Sequence, residues 1–130
     1  MHDFLLKELH NTDLEQELKF IGFDKCYTYK GKNKFIYKNF KIFNLTCAQA
    51  NIIKQTALSV GADCGTHREV ITGKIDSSCV ILGGSISQLV KIAKKLEHQP
   101  FGLKELGAIL TEKCNPQTAH STKIMGILNI

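Results

Sequence analysis

The sequence predicts an α/β or α+β fold in which a mixed sheet is covered by helices, as a two-layer or three-layer sandwich. Segments with helical spacing alternate with short apolar runs of strand composition, the pattern of helices laid on a sheet. Ser/Thr-x-x-Glu/Gln signals stand at Thr12, Thr46 and Ser85, each just ahead of a periodic apolar segment. The 130 residues are 43% hydrophobic and 22% charged, enough for one domain with a real core and unlike a disordered chain. The sense of the individual strand pairs stays open at this level.

Taken in order, Phe4, Leu5 and Leu6 form a first strand or a short lead-in. Thr12-x-x-Glu15 predicts a capped helix with Leu14, Leu18 and Ile21 on one face and Gly22 as its stop. Residues 25–41 are basic and aromatic, with a turn at Gly31-Lys32-Asn33 and flanks that suit a hairpin or a long loop. Phe40 to Leu45 has strand composition, with Phe40 and Ile42 on one face and Phe43 and Leu45 on the other. Thr46-x-x-Gln49 opens a second helix carrying Ala50, Ile53, Ala57 and Val60, which Gly61 ends. One or two short strands follow within 62–75. Cys79 to Leu82 reads as a compact buried strand, and Gly83-Gly84 as a turn into Ser85. The helix after it faces Ile86, Leu89, Val90, Ala93 and Leu96 to the core and Lys91, Lys94, Lys95 and Glu97 to water. Pro100 ends it. A shorter helix with Leu103, Leu106 and Leu110 comes next. Residues 1–110 thus form one domain, the polar stretch 111–123 a linker, and 124–130 a final apolar strand.

Composition excludes several classes. No window reaches the roughly 18–20 apolar residues of a membrane span. The start lacks the basic and apolar regions of a signal peptide, so a cytoplasmic protein is expected. The cysteines at 26, 47, 64, 79 and 114 are odd in number and widely spaced, as free thiols in a reducing compartment are. The net charge of +5 favours anionic partners without naming one.

The terminal run Met125-Gly126-Ile127-Leu128-Asn129-Ile130 resembles the first barrel strand of dihydropteroate synthases, Met-Gly-Ile-Leu-Asn-Val, and departs from it by Ile130 for Val. Residues 50–62, Ala50 to Ala62, and Phe101-Gly102-Leu103-Lys104 are similar to the N-terminal extension of some longer bacterial members. The resemblance implies an accessory domain joined to a TIM barrel that condenses a dihydropterin diphosphate with 4-aminobenzoate, using Mg²⁺. It implies that Asn129, near the C-terminal end of a barrel strand, meets the diphosphate-bound Mg²⁺ through its amide oxygen. The other site groups would come from later strands. One strand cannot close a barrel, so this chain by itself is expected to lack the parent's barrel and to be non-catalytic. Its expected partners are its own C-terminal barrel and, as a possibility, further copies of itself.

Three other constellations carry weaker readings. Cys64-x-x-His67 with Cys79 lacks the second ligand pair that structural zinc wants, and reads better as a buried thiol beside an ordinary histidine. Gly83-Gly84-Ser85 at a helix start lacks a longer phosphate-binding pattern and reads as a tight turn plus a cap. The basic aromatic run has no acidic residue between Asp24 and Asp63 and alternates Lys with Tyr and Phe. That suits a single-stranded nucleic-acid platform in a stand-alone basic module, the alternative function. Edge strands also carry lysine against aggregation, and nucleic acid is the less favoured partner.

Overall fold

The computed structural model describes residues 3–24, 31–70 and 72–114. The expected α/β sandwich is present: a three-stranded sheet of order β1-β3-β2 carries helices on one face. The strands are β1 (Tyr37–Leu45), β2 (Asp63–Gly65) and β3 (Ser78–Ser85). The helices are α1 (Leu14–Phe20), α2 (Cys47–Ser59), α3 (Ile86–Leu96) and α4 (Leu103–Cys114). Both strand pairs are antiparallel, with β3 in the middle, so among the described residues the sheet is antiparallel where a mixed one was expected. α2 and α3 lie on the sheet, and α4 packs on α3.

The core is the space between that sheet face and those helices. Leu45, Val80 and Leu82 from the strands meet Ala50, Ile53, Ala57, Ile86, Leu89, Ile92, Ala93 and Leu96. Burying the valine, leucine and isoleucine side chains among them contributes roughly 1.5–3 kcal/mol each. The predicted face of α3 is right except at one position: Ile92 is buried and Val90 only half-buried. α4 adds Leu103, Leu110, Gly107 and Cys114.

Two of the three expected capping boxes form. The Thr46 hydroxyl accepts from the Gln49 N–H at 3.1 Å, and the Thr46 N–H donates to Gln49 Oε1 at 2.9 Å. Ser85 and Gln88 repeat this at 3.2 and 2.9 Å, and Gln88 Nε2 also donates to the Val60 carbonyl at 3.3 Å, tying α3 to the end of α2. The box at Thr12 does not form. A 3₁₀ turn, Asn11–Asp13, occupies that place, and neither start has a side-chain cap. Glu15 is drawn outward instead, to Lys32 at 3.1 Å and Lys19 at 3.4 Å, and both lysines hold its carboxyl below the usual range, Lys32 foremost.

The glycine stops at the ends of α1 and α2 are as read. At α2, the Ala62 N–H reaches the Ala57 carbonyl and the Gly61 N–H the Leu58 carbonyl, with Gly61 at φ 81°. This is the Schellman arrangement, in which a left-handed residue lets the last carbonyls find donors. Ile21, expected on the buried face of α1, is 74% exposed because the helix has already closed at Phe20. Phe4, Leu5 and Leu6 are exposed and form no strand.

Three strand readings need correcting. β1 is one nine-residue strand in which Phe43 and Leu45 lie on opposite faces. Ile42 pairs with Val80 and Leu45 with Ser78, so β1 carries one residue more than β3 there. Asn44 absorbs it at φ 58°, and this bulge turns Leu45 into the core while Phe43 stays outside. β3 is buried on one side only: Val80 and Leu82 point in, Cys79 and Ile81 out. Gly83 and Gly84 belong to β3 and form no turn. Among the described residues of 62–75 β2 is the strand, which meets the expectation of one or two there.

At the other end, Gly31 to Phe35 forms a helical turn, with the Lys34 N–H on the Gly31 carbonyl and the Phe35 N–H on the Lys32 carbonyl. α3 stops at Leu96, before Pro100 is reached. α4 continues through Cys114, four residues past the expected domain end. The rest of the expected linker and the run at 124–130, with Asn129, lie outside the described residues.

Candidate functional site

The face of the sheet turned away from the helices is the candidate site. Strand alternation puts Tyr37, Asn39, Lys41 and Phe43 of β1 there, because Lys38, Phe40 and Ile42 face the core side. Antiparallel pairing adds Ile81 opposite Lys41, and Gly83 with Asp63 on the row of Asn39. Cys79 lies one step further along β3, beside the bulge. Tyr37 is 51% exposed, Phe43 58% and Ile81 54%.

The surface is low in relief. A β-carbon on Gly83 would lie 2.5 Å from Asn39 Oδ1 and 2.8 Å from the Tyr37 hydroxyl, so both side chains lie across β3 where it has none of its own. Lys41 Nζ sits 4.9 Å from the centre of the Phe43 ring, a cation–π contact within one strand face. The face is therefore aromatic and aliphatic, with Lys41 as its cation and Asp63 at the far rim.

The other sequence candidates are dispersed. Cys64 pairs with Leu82 on the helix side, where burial pushes its thiol pKa up against a smaller lowering by Lys54. Cys79 is exposed on the opposite side, so the sheet separates the two. His67 is exposed, and its Nδ1 accepts from the Glu69 N–H at 2.9 Å. That bond places the proton of the neutral ring on Nε2. His67 and Cys79 do share one hollow beside the bulge, with Asn44, Ile75, Ser77 and Ser78. No group of three or more His, Cys, Asp or Glu side chains able to hold a metal occurs among the described residues. No described helix is long and apolar enough to cross a membrane.

Sequence reasoning singled out the basic aromatic run. It missed Ile81, whose apolar side chain reads as core until its pairing with Lys41 is known, and Asn44, whose only signal is a turn-forming residue inside a strand.

No protein-family model matches the chain, and no solved structure matches it. A Helicobacter pylori protein named bifunctional dihydropteroate synthase/dihydropteroate reductase is 32% identical over 126 residues. That match covers 97% of this chain and 33% of the relative. A Halobacterium salinarum protein named probable bifunctional folylpolyglutamate synthase/dihydropteroate synthase is 30% identical over 92 residues, covering 63% of this chain and 11% of the relative. The chain is thus homologous, along nearly its whole length, to a segment of one bifunctional enzyme whose name includes dihydropteroate synthase and, over 63% of its length, to a segment of a second.

Proposed function

We propose that this chain is the N-terminal accessory domain of a dihydropteroate synthase. The observation that carries the reading is the near-complete match of the chain to one third of a synthase-bearing relative. What the match leaves over is on the order of 250 residues, the length of one (β/α)₈ barrel. A three-stranded antiparallel sheet offers no such barrel, so the condensation of dihydropterin diphosphate with 4-aminobenzoate belongs to the rest of the enzyme. Asn129 would close the first barrel strand there and give its amide oxygen to a diphosphate-bound Mg²⁺, an oxygen-seeking cation. The domain itself is non-catalytic and acts by supporting the barrel, by oligomer contacts or by tuning substrate access. The compartment is the cytoplasm.

The relative's name supports a second reading. It carries a second activity, dihydropteroate reductase, and the matched third is the part beyond a barrel's length. In that reading the domain takes part in reducing a pterin, with a hydride donor held elsewhere than on a Gly-x-Gly-x-x-Gly loop, a pattern absent from this sequence.

One experiment separates the two. Residues 1–122 are removed from the complete enzyme, and synthase and reductase activities are both measured. The accessory reading expects lowered stability or altered synthase kinetics. Intact synthase kinetics and stability with abolished reductase activity would give the domain to the second reading.

A further inference from the structure

We propose that the sheet face of Tyr37, Lys41, Phe43 and Ile81, which the described helices leave uncovered, is the surface on which the synthase portion of the same enzyme docks. The inference rests on the accessory-domain reading and adds the place of contact.

Single exposed apolar residues are ordinary, whereas a contiguous group on one sheet face is a mark of an interaction surface. An antiparallel sheet with one solvated face normally sets polar residues outward. Here Phe43, Ile81 and Tyr37 stand outward at about half exposure, with Lys41 directly opposite Ile81. Asn39 and Tyr37 lie over Gly83, which keeps the centre flat. A flat, partly aromatic surface suits a broad protein surface better than a small ligand, which needs a concave site.

The occupant follows from the chain's relatives. Both carry a synthase in the same polypeptide as the segment matched here. A linked partner meets this face at an effective concentration in the millimolar range, so a patch of this modest size suffices. The chemistry asked of the partner is an apolar patch with a carboxylate aimed at Lys41. Single-stranded nucleic acid fits less well. The Phe43 ring already carries Lys41, and Asp63 sets a carboxylate on the row that a phosphate backbone would cross.

Cys79 is a built-in reporter, exposed on β3 beside Ile81. Its rate of maleimide labelling, read by peptide mass mapping so that Cys26 and Cys47 do not interfere, is compared between the 130-residue chain and the complete enzyme. Docking predicts labelling at least tenfold slower in the complete enzyme. It also predicts that Ile81→Asp in the complete enzyme restores the fast rate, while the same change leaves the melting of the 130-residue chain unaltered. Equal labelling rates overturn the proposal. So does slow labelling of the 130-residue chain that speeds up on dilution, the sign of a second copy on this face, and so does protection of Cys79 in the complete enzyme by a single-stranded oligonucleotide. If deletion of 1–122 alters synthase kinetics while Cys79 labels equally in both proteins, the accessory reading stands and this surface fails.

Discussion

Gly107 of α4 lies so close to α3 that a β-carbon on it would stand 2.6 Å from the Ala93 carbonyl oxygen. The two helices meet there backbone to backbone, which is why a residue that weakens an isolated helix sits in the middle of one. Gly107→Ala gains helix propensity of about 1 kcal/mol but must push α3 and α4 apart, an overpacking cost of about 1–3 kcal/mol. We expect a net loss of up to about 2 kcal/mol in urea unfolding. Gly83→Ala is the control. Its new methyl meets only the far ends of Asn39 and Tyr37, exposed side chains that can swing aside, and the loss should stay under about 1 kcal/mol. Equal losses at the two sites would show that the backbone contact does not set the helix spacing.

The caps give a second contrast. Thr46→Ala and Ser85→Ala each remove a hydroxyl that accepts a helix N–H, at about 1 kcal/mol apiece. Ser85 is the more sensitive, because Gln88, which it orients, also holds the Val60 carbonyl. Thr12→Ala, at a site with the same sequence signature but no cap, should change stability by less than about 0.5 kcal/mol. Thermal melts of the three variants check this, and a Thr12→Ala loss as large as the other two would restore the capping box there.

Such local signals explain what was legible. A cap and its partner lie three residues apart, and the glycine stops after α1 and α2 act within one turn, so sequence spacing suffices. The core faces of α2 and α3 follow from helical period alone, with Ile92 and Val90 exchanged because both border the same stripe. The site was harder to read. Cys79 to Leu82 looks like a strand buried on both sides, since nothing local says which face the described helices cover. Gly83 and Gly84 look like a turn, although the demand for a small residue at Gly83 comes from Tyr37 and Asn39, more than forty positions earlier. Thr12 has no cap, and the Glu15 carboxylate pairs instead with Lys32, a partner no spacing rule names.

Asn44 tests the bulge that divides Phe43 from Leu45. Its φ of 58° is a left-handed value that asparagine tolerates and β-branched residues resist. Asn44→Gly should keep stability within about 0.5 kcal/mol or raise it slightly. Asn44→Val should cost about 1–2 kcal/mol, and more if the strand slips and expels Leu45 from the core. A valine variant as stable as the parent, by chemical denaturation, would argue that the bulge does not depend on this residue.

The buried thiols make the fold less stable at alkaline pH. Cys64 and Cys114 both have pKa values raised by burial, opposed in smaller measure by Lys54 and Lys38. The unfolded chain ionises its thiols near pH 8.5, below the folded values. Above that pH the unfolded state has released protons that the folded state still holds, so stability falls as pH rises. Below it both states carry the protons and these groups make no difference. Unfolding free energy, measured in reducing buffer at pH 7.5 and 9.5, should therefore drop for the parent chain. The double variant Cys64→Ala/Cys114→Ala starts lower, having lost packed side chains, and should drop less over the same interval. Identical slopes in the two proteins would mean that the two thiols are hydrated in the folded state.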